Sequence, residues 1–142
     1  MAEKSEKQMA KMVDAVQPHC DETIVAAMTC SHAGSMGSLL ASKLAGGIGG
    51  TARTSDLPNP VFIAVGAGTI YAFDYRPRGF KFKIKKEVAR WPRAEMSIEV
   101  EETGRMCYFT MTTSGGESYA MEVPTVMSGK DLVALFIAAL RG

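Results

Sequence analysis

The residues most able to do chemistry flank one short stretch: His19 and Cys20 before ETIVAAMTCSH, and Cys30, Ser31 and His32 at its end. Imidazole and thiolate are zinc ligands, and a structural site needs four of them converging on one tetrahedron. These pairs lack CxxC or HxxxH spacing, and an adjacent His-Cys is awkward for joint ligation. Nucleophilic catalysis needs a nucleophile, a base and an orienting acid that meet in space. The chain has two histidines and no G-x-S-x-G turn. No catalytic residue, metal or cofactor is therefore expected, and the thiols read as small, semi-buried side chains.

A second candidate is the glycine-rich run GSMGSLLASKLAGGIGGTART, residues 34–54. Its glycines do not fit a phosphate loop: no Gly-Lys-Ser/Thr follows. Gly47, Gly49 and Ala52 approach GxGxxG without a strand before them or a helix after. What remains are Leu39, Leu40, Leu44 and Ile48, with Lys43 and Arg53 as the cations. Either residues 38–45 form a short helix that packs its leucines on the body of the fold, or the run contacts a partner or a membrane. Each leucine would contribute about 1.5–3 kcal/mol if fully buried.

The third candidate is basic: Arg76, Arg78, Lys81, Lys83, Lys85 and Lys86. Each exposed cation adds about 1 kcal/mol at an anionic membrane, so the set predicts weak, salt-sensitive binding rather than a tight pocket. An acidic stripe, Glu95, Glu99 and Glu101, follows on a later strand. If the two strands are neighbours, the stripes neutralise each other and the set is a solvated face.

Composition narrows the classes. The 142 residues are 46% hydrophobic and 22% charged, with a net charge of +1. That describes one globular domain, and the charge balance argues against a nucleic-acid partner. The start, MAEKSEKQMAKMVDAV, lacks the apolar core of a secretory leader, and three cysteines cannot all pair within the chain. Free thiols in a cytoplasmic protein, peripheral at the inner membrane face if it binds lipid, are the expectation.

These residues need elements to position them. Residues 3–16 carry Met9, Met12, Val13 and Val16 at helical spacing, and Pro18 ends that helix. Strands are expected over 22–32, 60–65, 69–75, 80–86, 95–102, 106–112 and 117–123. FKFKIKK is the clearest alternation, with Phe80, Phe82 and Ile84 inward. Gly66-Ala67-Gly68 reads as a hairpin connection in which glycine supplies positive φ. Thr103-Gly104 and Gly115-Gly116 read as further turns, and Trp91-Pro92 as an interruption of pairing. Trp91 itself reads as a core anchor.

Ser128, with Asp131 three residues on, resembles a capping box opening the helix DLVALFIAALR, a cap worth about 1 kcal/mol. That helix is apolar nearly all round. After one face packs inward, a second surface must cover the rest: the N-terminal helix or another subunit. Val133, Phe136, Ile137 and Leu140 are the interface candidates.

PVFIAVGAGTIYAFD, VARWPRAEM and the closing helix after Pro124, in this order, resemble the small PH-like (pleckstrin-homology-like) domains of high-GC Gram-positive bacteria. The likeness runs from about Glu22 to Leu140. It implies a mainly β fold: a seven-stranded antiparallel barrel or sandwich with a C-terminal capping helix, here with an extra N-terminal helix. Residues 1–21 would be the helix and linker, and 22–142 the domain, with an insertion at 34–55. It also implies a non-enzymatic binding or scaffolding module acting through a protein partner or homo-oligomer. The alternative is a module for anionic membrane lipid.

Overall fold

The computed structural model describes all residues except Met1, 33–50, 53–56, Asn59, 79–80, Gly104 and 126–128. Helix α1 (Ala2–Val16) is followed by a short 3-10 turn containing Pro18 and by strand β1 (Ile24–His32). The two-residue β2 (Thr51–Ala52) comes next, then β3 (Val61–Gly66), β4 (Thr69–Arg78) and β5 (Lys81–Pro92). A second 3-10 turn, Arg93–Glu95, leads into β6 (Ser97–Glu102), β7 (Met106–Thr112), β8 (Glu117–Pro124) and helix α2 (Lys130–Arg141).

Seven antiparallel strands form one sheet in the order β5-β4-β3-β1-β8-β7-β6, and β2 pairs parallel with the start of β8. The seven expected strands are these seven. The sheet does not close. β5 and β6, consecutive in the chain, lie at its opposite ends, each paired on one side only among the described residues. The expected barrel or sandwich is thus one open sheet.

The two halves of the sheet meet at β1. Most of β1 pairs with β3, and only Ser31 and His32 pair with β8. Helix α1 packs on β1 and on α2. Met9 Sδ accepts the buried Ala27 N–H at 3.3 Å. A thioether is a weak acceptor, but it satisfies an amide that water cannot reach. Met9, Met12 and Val16 are buried, as their spacing predicts. On the inner side, Phe109 meets Phe136 of α2 edge to face at 5.7 Å, and Trp91 meets Tyr119 at 5.0 Å across the two halves of the sheet. Trp91 is thereby a core-packed residue.

Three local expectations are corrected. Trp91-Pro92 does not interrupt pairing: Trp91 pairs with Ile70 and Pro92 with Thr69. Proline is tolerated because β5 is an edge strand and ends there. Gly66 and Gly68 do not supply positive φ; among the described residues Gly116 (φ 88°) and Gly129 (φ 96°) do. Gly66 leaves room for Glu22 instead, since a Cβ there would lie 2.2 Å from Glu22 Oε1 and displace that side chain. Helix α2 takes Gly129 as its N-cap, with no side-chain cap. Ser128 lies outside the described residues, as does Phe80.

Candidate functional site

The hairpin of β4 and β5 carries the basic set. In its register Arg76 stands opposite Lys83, Arg78 opposite Lys81 and Asp74 opposite Lys86. Arg76, Lys83, Lys85 and Lys86 are exposed, whereas Ile84 is buried and Phe82 half-buried against Phe62. The alternation of FKFKIKK is therefore realised over its described part. Arg76 and Lys83 are like-charged and stand opposite each other on this ladder, which is unfavourable unless an anion offsets it. Register irregularities fall between Ala72 and Phe73 and between Asp74 and Tyr75, so β5 bulges at Val88 and at Lys85. Bulges sharpen the local twist of a strand.

The acidic stripe does not neutralise this ribbon through the sheet. Glu99 and Glu101 lie on β6, whose ladder partner is β7, and β6 is at the far end of the sheet from β5. The solvated-face reading required neighbouring strands, and the topology removes that condition. Strand order is a non-local property that alternation within a strand does not encode. The result is a sheet with one basic and one acidic edge: Glu99, Glu101 and Glu102 are exposed on β6.

Beside the basic ribbon, a polar clamp locks the chain between α1 and β1 onto the β3–β4–β5 face. Tyr71 donates its hydroxyl to Asp21 Oδ1 at 2.6 Å. Arg90 reaches Asp21 Oδ2 at 3.2 Å, forks onto Glu87 at 2.7 and 2.8 Å, and lies 5.0 Å over the Tyr71 ring. The Glu22 carboxylate accepts from Gly68 N, Thr69 N and Thr69 Oγ1 at 2.9, 2.9 and 3.3 Å. Hydrogen bonds from Tyr71 and Arg90 hold the Asp21 carboxyl below the usual aspartate range. Burial, followed by the bond to Asp21, pushes Tyr71 up to about 12. No sequence motif marks this clamp, because its members come from three separated segments.

Among the described residues of β5, Arg90 is the cation held in an ion pair, so it belongs to the clamp rather than to the basic ribbon. A second stitch comes from Arg93, which donates to Gly66 O at 3.1 Å and to Ala139 O at the end of α2. It borders an open cavity of about 600 Å³ lined by Gly68, Met96, Ile98, Leu140 and Arg141 among others.

The pKa directions set an alkaline limit on stability. Burial raises Cys20 and Cys107 to about 11, and Tyr71 to about 12. Between the unfolded values and these, the folded chain holds more protons than the unfolded one, so stability is intact below about pH 9 and falls as pH rises to about 12. Denaturant midpoints from pH 8 to 12 should decline across that window. Tyr71→Phe should flatten the upper part of the decline.

The chemistry-bearing residues at the ends of β1 are occupied separately. His19 packs against Phe73, His32 Nε2 contacts Pro58 O at 3.0 Å, and Cys30 is buried with its Sγ near Met28 O. All three cysteines are free, and among the described residues no three His, Cys, Asp or Glu side chains gather as a metal site. Of the glycine–leucine candidates, Leu39, Leu40, Lys43, Leu44, Ile48 and Arg53 lie outside the described residues. Arg78 and Lys81 are placed by register alone.

The interface candidates on α2 lie within the packed chain. Val133, Phe136 and Leu140 are buried within the chain, at 2%, 0% and 2% exposure, and Ile137 is partly buried against the same core. The N-terminal helix supplies the second surface that α2 requires. Among the described residues no helix is long and apolar enough to cross a membrane. No family model, no curated protein and no solved structure matches this chain.

Proposed function

We propose that this chain is a non-enzymatic, PH-like binding module whose β5 edge takes a protein partner presenting an acidic strand. What carries the reading is the position of β5: a 12-residue strand at the end of the sheet, with Lys83, Lys85 and Lys86 exposed along it. An open edge offers unpaired N–H and C=O groups that an extended segment can satisfy. The lysines select its charge, since like-charged strands are repelled and acidic ones attracted. The strand order, with its C-terminal helix packed on the sheet, supports the PH-like part of the reading. A second reading draws on Arg76, which stands opposite Lys83 and spreads the positive charge over both strands of the hairpin. That spread suits a flat anionic membrane surface as well as a strand.

Fluorescence anisotropy with a labelled peptide of alternating Glu and Val separates the readings from each other. Salt-sensitive binding of that peptide, with no binding of its Lys-Val counterpart, is expected. It should be lost in Lys83→Glu/Lys85→Glu. Binding to phosphatidylserine vesicles without binding to the peptide would transfer the function to the membrane reading. Binding to neither would remove β5 as the site.

A further inference from the structure

The two ends of the sheet are complementary in more than charge. KFKIK, residues 81–85, and SIEVE, residues 97–101, both alternate with period two. Laid side by side in the same direction, Phe82 falls on Ile98, Lys83 on Glu99, Ile84 on Val100 and Lys85 on Glu101. Reversed about the same centre, Ile84 still meets Val100, and Lys83 and Lys85 meet Glu101 and Glu99. In both directions lysines meet glutamates and apolar residues meet apolar ones. Opposite-charge and apolar cross-strand pairs both favour such a ladder. Within one chain this pairing is not made, because β5 and β6 terminate opposite ends of the sheet.

We infer that the acidic strand taken by the β5 edge is β6 of a second copy of this chain. The inference rests on the reading of β5 as a docking edge and names its partner. Several features of the molecule bear on it. Lys83, Lys85 and Lys86 on one edge, and Glu99, Glu101 and Glu102 on the other, are all exposed. The apolar faces of α2 that would otherwise drive association are covered by α1 and the sheet. Among the described residues the exposed large hydrophobics are Val25 and Leu135, and the two charged edges offer the complementary surfaces. Because the contact joins two different surfaces, each added copy presents a fresh β5 or β6, and growth continues unless the rotation closes a ring. The bulge at Lys85 keeps the new ladder short, so association is weak and screened by salt.

Analytical ultracentrifugation of the full chain tests this with charge reversals on each edge. The wild type should show mass rising with concentration at roughly 20 mM salt and return to monomer near about 0.5 M. Lys83→Glu/Lys85→Glu makes both edges acidic, and Glu99→Lys/Glu101→Lys makes both basic; each alone should sediment as a monomer. Mixed one to one, they should associate, since each edge again meets its opposite. Unchanged far-ultraviolet circular dichroism checks that both variants are folded.

A wild type that stays monomeric at low salt overturns the inference, as does association of either variant alone or failure of the mixture. The acidic-peptide experiment separates the two levels. A monomeric wild type that still binds the peptide keeps β5 as a docking edge and loses only the second copy as partner. A chain that neither associates nor binds the peptide loses both.

Discussion

Phe136→Ala is expected to lower the free energy of unfolding by about 3–5 kcal/mol, the range for removing a buried aromatic ring. Phe136 has no exposed surface and meets Phe109 edge to face at 5.7 Å, so its loss leaves a cavity where α2 meets the sheet. An edge-to-face pair adds about 0.5–1.5 kcal/mol beyond the area buried. The denaturation midpoint should fall with the slope unchanged, because the surface exposed on unfolding is nearly the same. Leu135→Ala, at a position 39% exposed, is the control and should shift stability by only a few tenths of that amount. A loss below about 1 kcal/mol for Phe136→Ala would mean that α2 is not seated in the core.

The second large effect lies at a glycine. Gly66→Ala should destabilise by about 0.5–1.5 kcal/mol, the net scale of a hydrogen bond whose partners water can reach. A Cβ there would occupy the space of the Glu22 carboxylate, which holds the β3–β4 turn through Gly68 N, Thr69 N and Thr69 Oγ1. The carboxylate would have to leave. The double mutant decides the cause. In a Glu22→Ala background the clash is gone and Gly66 has no positive φ to preserve. Alanine should then be neutral or stabilise by about 0.4–1 kcal/mol through the unfolded chain. Additive losses in the cycle would place the cost of alanine elsewhere.

Gly66 also marks where sequence reading stops. A glycine between two strands signals either positive φ or close approach of another atom, and which one depends on Glu22, 44 positions away in the chain. The elements were legible because their signals are local. Met9, Met12 and Val16 at helical spacing, and Phe82 and Ile84 alternating with lysines, state which face turns inward. The seven strands followed from such patterns.

Their order did not. Nothing in FKFKIKK or SIEVEE says whether the two strands pair, and their placement at opposite ends of the sheet turned an expected neutral face into two charged edges. Helix α2 shows the same limit. Its all-round apolarity required a cover without naming it, and α1 packs against it as that cover. The clamp of Asp21, Tyr71 and Arg90 was invisible for a related reason: each residue is unremarkable in its own segment, and only the fold brings them together.

The proposed function rests on β5 as a docking edge, and backbone hydrogen exchange resolved by residue tests this most directly. Among the described residues β5 pairs with β4 alone, so those amides of residues 81–86 that do not bond to β4 face outward and should exchange rapidly in the isolated chain. Adding the Glu-Val peptide at low salt should slow those amides and leave the twice-paired amides of β3 unchanged. Binding that leaves the β5 amides as fast as before, with protection appearing on α2 or elsewhere, would contradict the account.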